Sequence, residues 1–401
     1  MKPFLGALAT LLITTTSYAQ TRLDLDATLQ QAVGETLIPG LVAMVTDDTA
    51  ILYSGAFGQQ DVAARIPMQL DTIFRIASMT KPVTSVAVMM LVEQGDVALD
   101  DPIARYIPAL GGKQVIDEFN PEDGSYSTRP AATAITIRHL LTHTSGLGYG
   151  FASKTLAAMT KGSQEASAQD YPLLHDPGAL WTYGESTRVL GQLVTTISGQ
   201  PLDSFMRQRI FVPLGMNDTS YRVPPEQMHR VATVHRLVDG ELVETPNPAS
   251  IDPDRSDGDG GLNSTAGDYI KFIQMLLRGG LAPDGRRLLS AETVRSMGQN
   301  HTGDVLVRLQ DAAMPAVARQ FPLGAGRDSF GLGFQVTGPH EEPGVRAPGS
   351  MSWAGIFNTE FWVDPASGIG AVLLMQYLPF YDADAIGTLV DFEQRIYEQL
   401  K

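Results

Sequence analysis

The 401-residue sequence predicts an α/β (α+β) fold in which a helical lobe interrupts an α/β lobe that is discontinuous in the chain. Three observations lead there. Apolar, strand-like runs gather at both ends, over residues 40–58 and 329–376. Helix-period segments fill the middle. Stretches rich in Gly, Pro and acidic residues separate the two kinds. The expected division is residues 20–80 with 300–401 as the α/β lobe and 81–299 as the mainly helical lobe, with a site between them.

Residues 40–46 and 51–58 read as two strands joined by the turn Asp47-Asp48-Thr49-Ala50, a hairpin. Residues 72–77 are an extended lead-in to a break at Ser78, and an apolar helical run over 82–94 stops at Gly95. Residues 111–134 are polar and read as a surface loop, and 136–143 as a short helix stopped by Ser145-Gly146. Weak periodicity over 147–175 suggests a cleft wall. Helices follow over 186–197 and 201–212, then an acidic loop over 240–263, then a helix capped by Ser264-Thr265 that runs to Leu277. Near the C-terminus, residues 329–336, 352–363 and 368–376 read as strands, and 382–400 as a closing amphipathic helix.

Hydrophobic residues make up 43% of the chain, enough for a sizeable core. The net charge of -15, with no basic cluster to offset it, argues against nucleic acid and anionic membranes as partners. Cysteine is absent, which removes a thiol nucleophile, thiolate metal sites and disulfides. Residues 1–19 have the form of a secretory leader: Lys2, an apolar stretch from Phe4 to Ile13, and the small-residue site Ser17-Tyr18-Ala19. Residue 20 is Gln rather than Cys, so no lipid anchor is expected, and a periplasmic or secreted location follows.

Ser78-Met79-Thr80-Lys81 reads S-x-x-K. Residues three apart share a helix face, so the Ser78 hydroxyl and the Lys81 amine would point into one space. A serine activated by a neighbouring amine needs that arrangement. Of seven lysines, only Lys81 has a serine three residues before it. The tetrad alone is equally compatible with a capping serine followed by an exposed lysine.

Several segments together resemble the serine hydrolases related to class C β-lactamases, and within them the family VIII carboxylesterases. They are residues 74–81, His139-Leu140-Leu141-Thr142-His143-Thr144-Ser145-Gly146-Leu147, Trp181-Thr182-Tyr183, residues 260–268 and Phe361-Trp362-Val363-Asp364-Pro365. The resemblance implies an antiparallel sheet flanked by helices, as in β-lactamases and penicillin-binding proteins. It implies that Ser78 becomes acylated, with Lys81 and Tyr183 jointly handling its proton. The oxyanion would be held by the backbone N–H groups of Ser78 and Ile356. Trp353-Ala354-Gly355 would stand where β-lactamases carry K-T-G or H-T-G and would line the substrate site.

Two departures matter. Trp353 replaces a cationic or imidazole group, and Glu185 replaces the second-motif Asn. Both are expected to turn recognition from an anionic lactam toward a neutral, small-molecule ester, Glu185 by repelling a substrate carboxylate. No cofactor and no metal are expected. His139 and His143 lack the H-E-x-x-H frame and read as a structural pair at a helix end. Asp252, Asp254, Asp257 and Asp259 miss the EF-hand spacing and read as a solvated loop. No G-x-S-x-G occurs, against the α/β-hydrolase route. A β-lactamase, a D-aminopeptidase, an acyltransferase or a non-catalytic peptidoglycan sensor are the alternatives on this scaffold. Oligomeric state is open.

Overall fold

The structure is a computed structural model that describes residues 23–160, 167–245 and 256–400. The expected leader lies outside the described residues, as do Asp252 and Asp254 of the acidic loop.

An eight-stranded antiparallel sheet forms the spine, with spatial order Ser329–Phe330, Gln335–Val336, Met351–Gly355, Thr359–Asp364, Ile369–Leu374, Gly40–Thr46, Ile51–Asp61 and Ile66–Pro67. The two chain ends meet where Gly40–Thr46 pairs with Ile369–Leu374, from Val42 opposite Leu374 to Thr46 opposite Gly370. Strand side chains alternate between faces. Leu41, Ala43, Val45, Trp362, Ala371 and Leu373 therefore enter one core, under the helices Asp26–Glu35 and Ala383–Gln399. Val42, Phe361, Val363, Val372 and Leu374 enter the other, shared with the helical lobe. Burial on both faces explains why Thr359–Asp364 and Ile369–Leu374 are buried at every position.

The helix Ala266–Leu277 packs on the sheet. Gly370 makes the contact possible, since a Cβ there would lie 2.2 Å from Ile273 Cγ2. At the centre runs the helix Thr80–Gln94, buried from Thr80 to Leu91 and closed by Gly95 at φ 78°.

Several expectations need correction: residues 329–336 are two short strands paired with each other, and Glu241–Glu244 of the expected acidic loop is a strand paired with His235–Val238. Residues 111–134 contain a hairpin, Gln114–Phe119 with Tyr126–Pro130, rather than a loop alone. The run 352–363 is two strands, broken where Asn358 takes φ 60°. Asn358 holds that turn by donating Nδ2 to the carbonyls of Tyr377 and Pro379 and by accepting from the Tyr381 N–H. Among the described residues no helix is long and apolar enough to cross a membrane.

Candidate active site

Ser78 lies in the 3-10 turn Ala77–Met79, which runs into the helix Thr80–Gln94. It makes no side-chain cap, so the capping reading of the tetrad does not hold. Ala77, just before it, has φ 44°, a left-handed conformation that costs a non-glycine residue roughly 1–3 kcal/mol. One turn on, Lys81 Nζ donates to Ser78 Oγ at 3.1 Å and to the Asp259 carbonyl at 2.6 Å. The lysine is only 2% exposed. Burial lowers its pKa to about 7; Asp259 and Glu185 oppose that shift and Arg188 reinforces it.

Tyr183 comes from the segment before the helix Ser186–Ser198. Gly184 lets that segment press against Leu147, whose carbonyl would lie 2.1 Å from any Cβ. The Tyr183 ring lies 4.8 Å from Lys81 Nζ, and its hydroxyl interacts with Ser78. Burial pushes the phenol pKa well up; the contacts with Ser78 and Trp353 only partly offset this. Ser78, Lys81 and Tyr183 thus converge from a turn, a helix and a loop.

The strand Met351–Gly355 closes the other side. Gly355 rests on the Ile76 carbonyl, which would be 2.3 Å from a Cβ there. Trp353 lies 5.1 Å from the Tyr183 ring, with its indole in contact with the phenol, and stacks near His143, with centroids 6.1 Å apart. A cavity of about 300 Å³ is lined by Ser78, Tyr183, Trp353, Ala354 and Ile356, with Phe151 and Phe321 as apolar walls.

Gly355 and Glu185 do not line that cavity. Gly355 acts through backbone approach. Glu185 is 4% exposed and accepts from Arg188 Nη1 at 2.8 Å and Ser167 Oγ at 2.6 Å. Its charge is answered inside the protein, so the expected repulsion of a substrate carboxylate has no free anion behind it.

Tyr149, Arg188 and Thr84 went unread in the sequence, and Asp259 was read only as part of a solvated loop. Asp259 is buried, accepts from the Tyr149 hydroxyl, and pairs with Arg188 at 3.3 Å. The acidic loop is therefore not solvated at this point. Thr84 Oγ1 donates to the Gly258 carbonyl at 2.6 Å and fastens the loop to the central helix. The only advance signal was the helical i, i+3 spacing of Glu185 and Arg188.

The histidines diverge. His139 completes a capping box with Thr136 at the start of the helix Ile137–Leu141. His143 lies past its end at φ 54°, buried against Tyr183, and burial holds it well below its usual pKa. Among the described residues no group of three or more His, Cys, Asp or Glu could hold a metal ion.

Comparison with known proteins agrees with this architecture. The chain is 30% identical to esterase EstB of Burkholderia gladioli, over 87% of this chain and 89% of that one. It is 30% identical to monacolin J acid methylbutanoyltransferase of Aspergillus terreus, over 94% and 95%. The solved structure of unliganded simvastatin synthase LovD from Aspergillus terreus superposes with a TM-score of 0.78 at 29% identity, over 94% of this chain and 97% of that one. The fold, a β-lactamase and penicillin-binding-protein-like sheet with helices on both faces, is thus shared with a solved synthase, and an esterase and a methylbutanoyltransferase are similar in sequence. The Beta-lactamase family model spans residues 25–394, almost the whole two-lobed unit around Ser78, and the chain belongs to that family of serine hydrolases.

Proposed function

We propose that this protein is an exported carboxylesterase that works through an acyl-enzyme on Ser78. The observation that carries the reading is the 3.1 Å contact between Ser78 Oγ and a buried lysine whose pKa is about 7. At neutral pH much of Lys81 is an unprotonated amine, able to take the hydroxyl proton as Oγ attacks the ester carbonyl. The raised pKa of Tyr183 keeps it a phenol, suited to hand a proton to the departing alkoxide. Water, deprotonated by the same pair, then releases the acid.

The amides of Ser78 and Ile356 are the oxyanion donors in this account. Among the described residues neither donates to another backbone group in the turns and loops. Trp353 supports an ester over a lactam, because an indole brings an apolar face and one N–H where a cation would hold a carboxylate. The likeness to esterase EstB supports the same choice.

Acyl transfer to an alcohol is the second reading, favoured by the likeness to the methylbutanoyltransferase and by the aromatic walls Phe151 and Phe321 of the cavity at Ser78. The deciding experiment measures hydrolysis of p-nitrophenyl esters and nitrocefin by wild type and Ser78→Ala, with and without an added alcohol. Ester hydrolysis that disappears in Ser78→Ala supports the proposal. Equal rates in the two proteins overturn it, and a nitrocefin rate rivalling the esters points to a lactamase. A product yield that rises with the alcohol points to transfer.

A further inference from the structure

The cavity that begins at Ser78 continues over the edge of the strand Met351–Gly355 to the opposite face of the sheet. Its lining there includes Glu360, Arg346, Tyr381, Leu389, Val390 and Glu393. Pairing sets this direction: Ala354 lies opposite Glu360, so the two share a face, while Trp353 and Phe361 share the other. None of the catalytic roles assigned above uses this second arm.

Glu360 is the unusual group in it. The residue is 9% exposed, and its Oε1 has no hydrogen-bond partner among the described residues. Buried carboxyl oxygens are normally paired, so a cavity-lining carboxyl with an orphan oxygen is a group whose hydrogen bonding is unfilled. The cation nearby does not fill it. Arg346 is committed to Glu393, donating from its backbone N and Nε to Oε1 at 2.8 and 2.7 Å and from Nη2 to Oε2 at 2.7 Å, with its guanidinium 4.6 Å from the Trp362 ring. Burial raises the Glu360 pKa to about 8, with Arg346 only partly opposing it.

The cavity lining also carries His340 and Glu342, but the ionised groups beside Glu360 are paired with one another. Arg346 and Glu393 cancel, Arg327 pairs with Asp328 at 2.8 Å at the mouth, and Glu360 is a neutral acid with an O–H to give. The Tyr381 hydroxyl accepts from the Leu323 N–H and keeps its own proton available, and Leu389 and Val390 supply an apolar wall. An uncharged donor among apolar side chains suits an uncharged oxygen on an aliphatic chain.

We propose that Glu360 and the arm around it form a substrate subsite that receives a neutral oxygen acceptor, a ketone, ether or ester carbonyl, carried on the acyl or alcohol part remote from the scissile bond. This rests on the esterase reading of Ser78 and deepens it by naming the substrate class: oxygenated aliphatic esters rather than plain alkyl ones.

The test compares methyl oxoalkanoates, with the ketone moved along the chain, against methyl alkanoates of equal length. Wild type, Glu360→Gln and Glu360→Leu are assayed for kcat/KM between pH 6 and 9. Wild type should favour the keto ester by about tenfold at one ketone position, as expected for one added hydrogen bond, and lose that preference as Glu360 ionises above pH 8. Glu360→Gln, which keeps a donor and cannot ionise, should hold the preference at every pH, and Glu360→Leu should lack it. Equal keto-to-alkyl ratios in all three proteins at every position would overturn the proposal. The same ratio read as Kd by calorimetry in Ser78→Ala separates the two claims. Hydrolysis surviving Ser78→Ala counts against the catalytic reading, whereas equal Kd values for keto and alkyl esters count against the subsite.

Discussion

Lys81 gives one hydrogen to the Asp259 backbone carbonyl at 2.6 Å while its amine sits 3.1 Å from Ser78 Oγ. The carbonyl fixes the amine's direction without supplying a neutralising charge. The Asp259 carboxylate turns to Arg188 and Tyr149 instead. Lys81 is thus oriented by the loop but left to burial, which drives its proton off.

Activity should therefore follow the basic form of Lys81. Its folded pKa is depressed, so the free amine accumulates as pH rises through about 7, and kcat/KM should show an acidic limb there. Two variants should move that limb oppositely. Asp259→Asn removes a charge that favours the ammonium and should shift it to lower pH. Arg188→Gln removes a charge that opposes the ammonium and should shift it higher, while costing roughly 3 kcal/mol of stability because Asp259 and Glu185 lose a buried partner. pH–rate profiles of the three proteins check both signs.

Tyr183→Phe should lower kcat by about 10²- to 10⁴-fold on alkyl esters. The loss should be smaller on p-nitrophenyl esters, whose leaving group departs without a proton. Equal losses on both ester types, measured in parallel, would assign Tyr183 a packing role rather than proton delivery.

Trp353→His should change the preferred ester chain length or raise nitrocefin turnover, because Trp353 lines the cavity beside Tyr183. An unchanged profile on a panel of p-nitrophenyl esters and nitrocefin would remove the indole from substrate recognition.

Gly355→Ala tests the backbone approach. A methyl group there meets the Ile76 carbonyl and Thr359 Oγ1, each at 2.3 Å. The strand must retreat from the turn that carries Ser78, so kcat should fall by about 10²-fold, as displacements near 1 Å can do. Thermal melting should show a loss of roughly 1–3 kcal/mol.

Much of this was legible because local chemistry signalled it. Helix spacing paired Ser78 with Lys81, the 47–50 turn announced its hairpin, and the closing helix carried a clear apolar stripe. The hairpin Gln114–Phe119 with Tyr126–Pro130 was not, because most of its residues are exposed and show no clean alternation. Asp259 was misread because a buried carboxylate and a solvated one look alike in sequence. Its partners Arg188 and Tyr149 lie 71 and 110 residues away. For Glu185 the neighbour Arg188 was visible in the sequence, but not that the two pair with each other and lie outside the cavity lining.

The most direct measurement is intact-protein and peptide mass spectrometry after brief exposure of Tyr183→Phe, in which deacylation should be slow, to p-nitrophenyl butyrate. The account predicts one butyryl adduct on the peptide containing Ser78 and none when Ser78→Ala is added. Turnover without an adduct at Ser78, or an adduct on another residue that persists in Ser78→Ala, would contradict it.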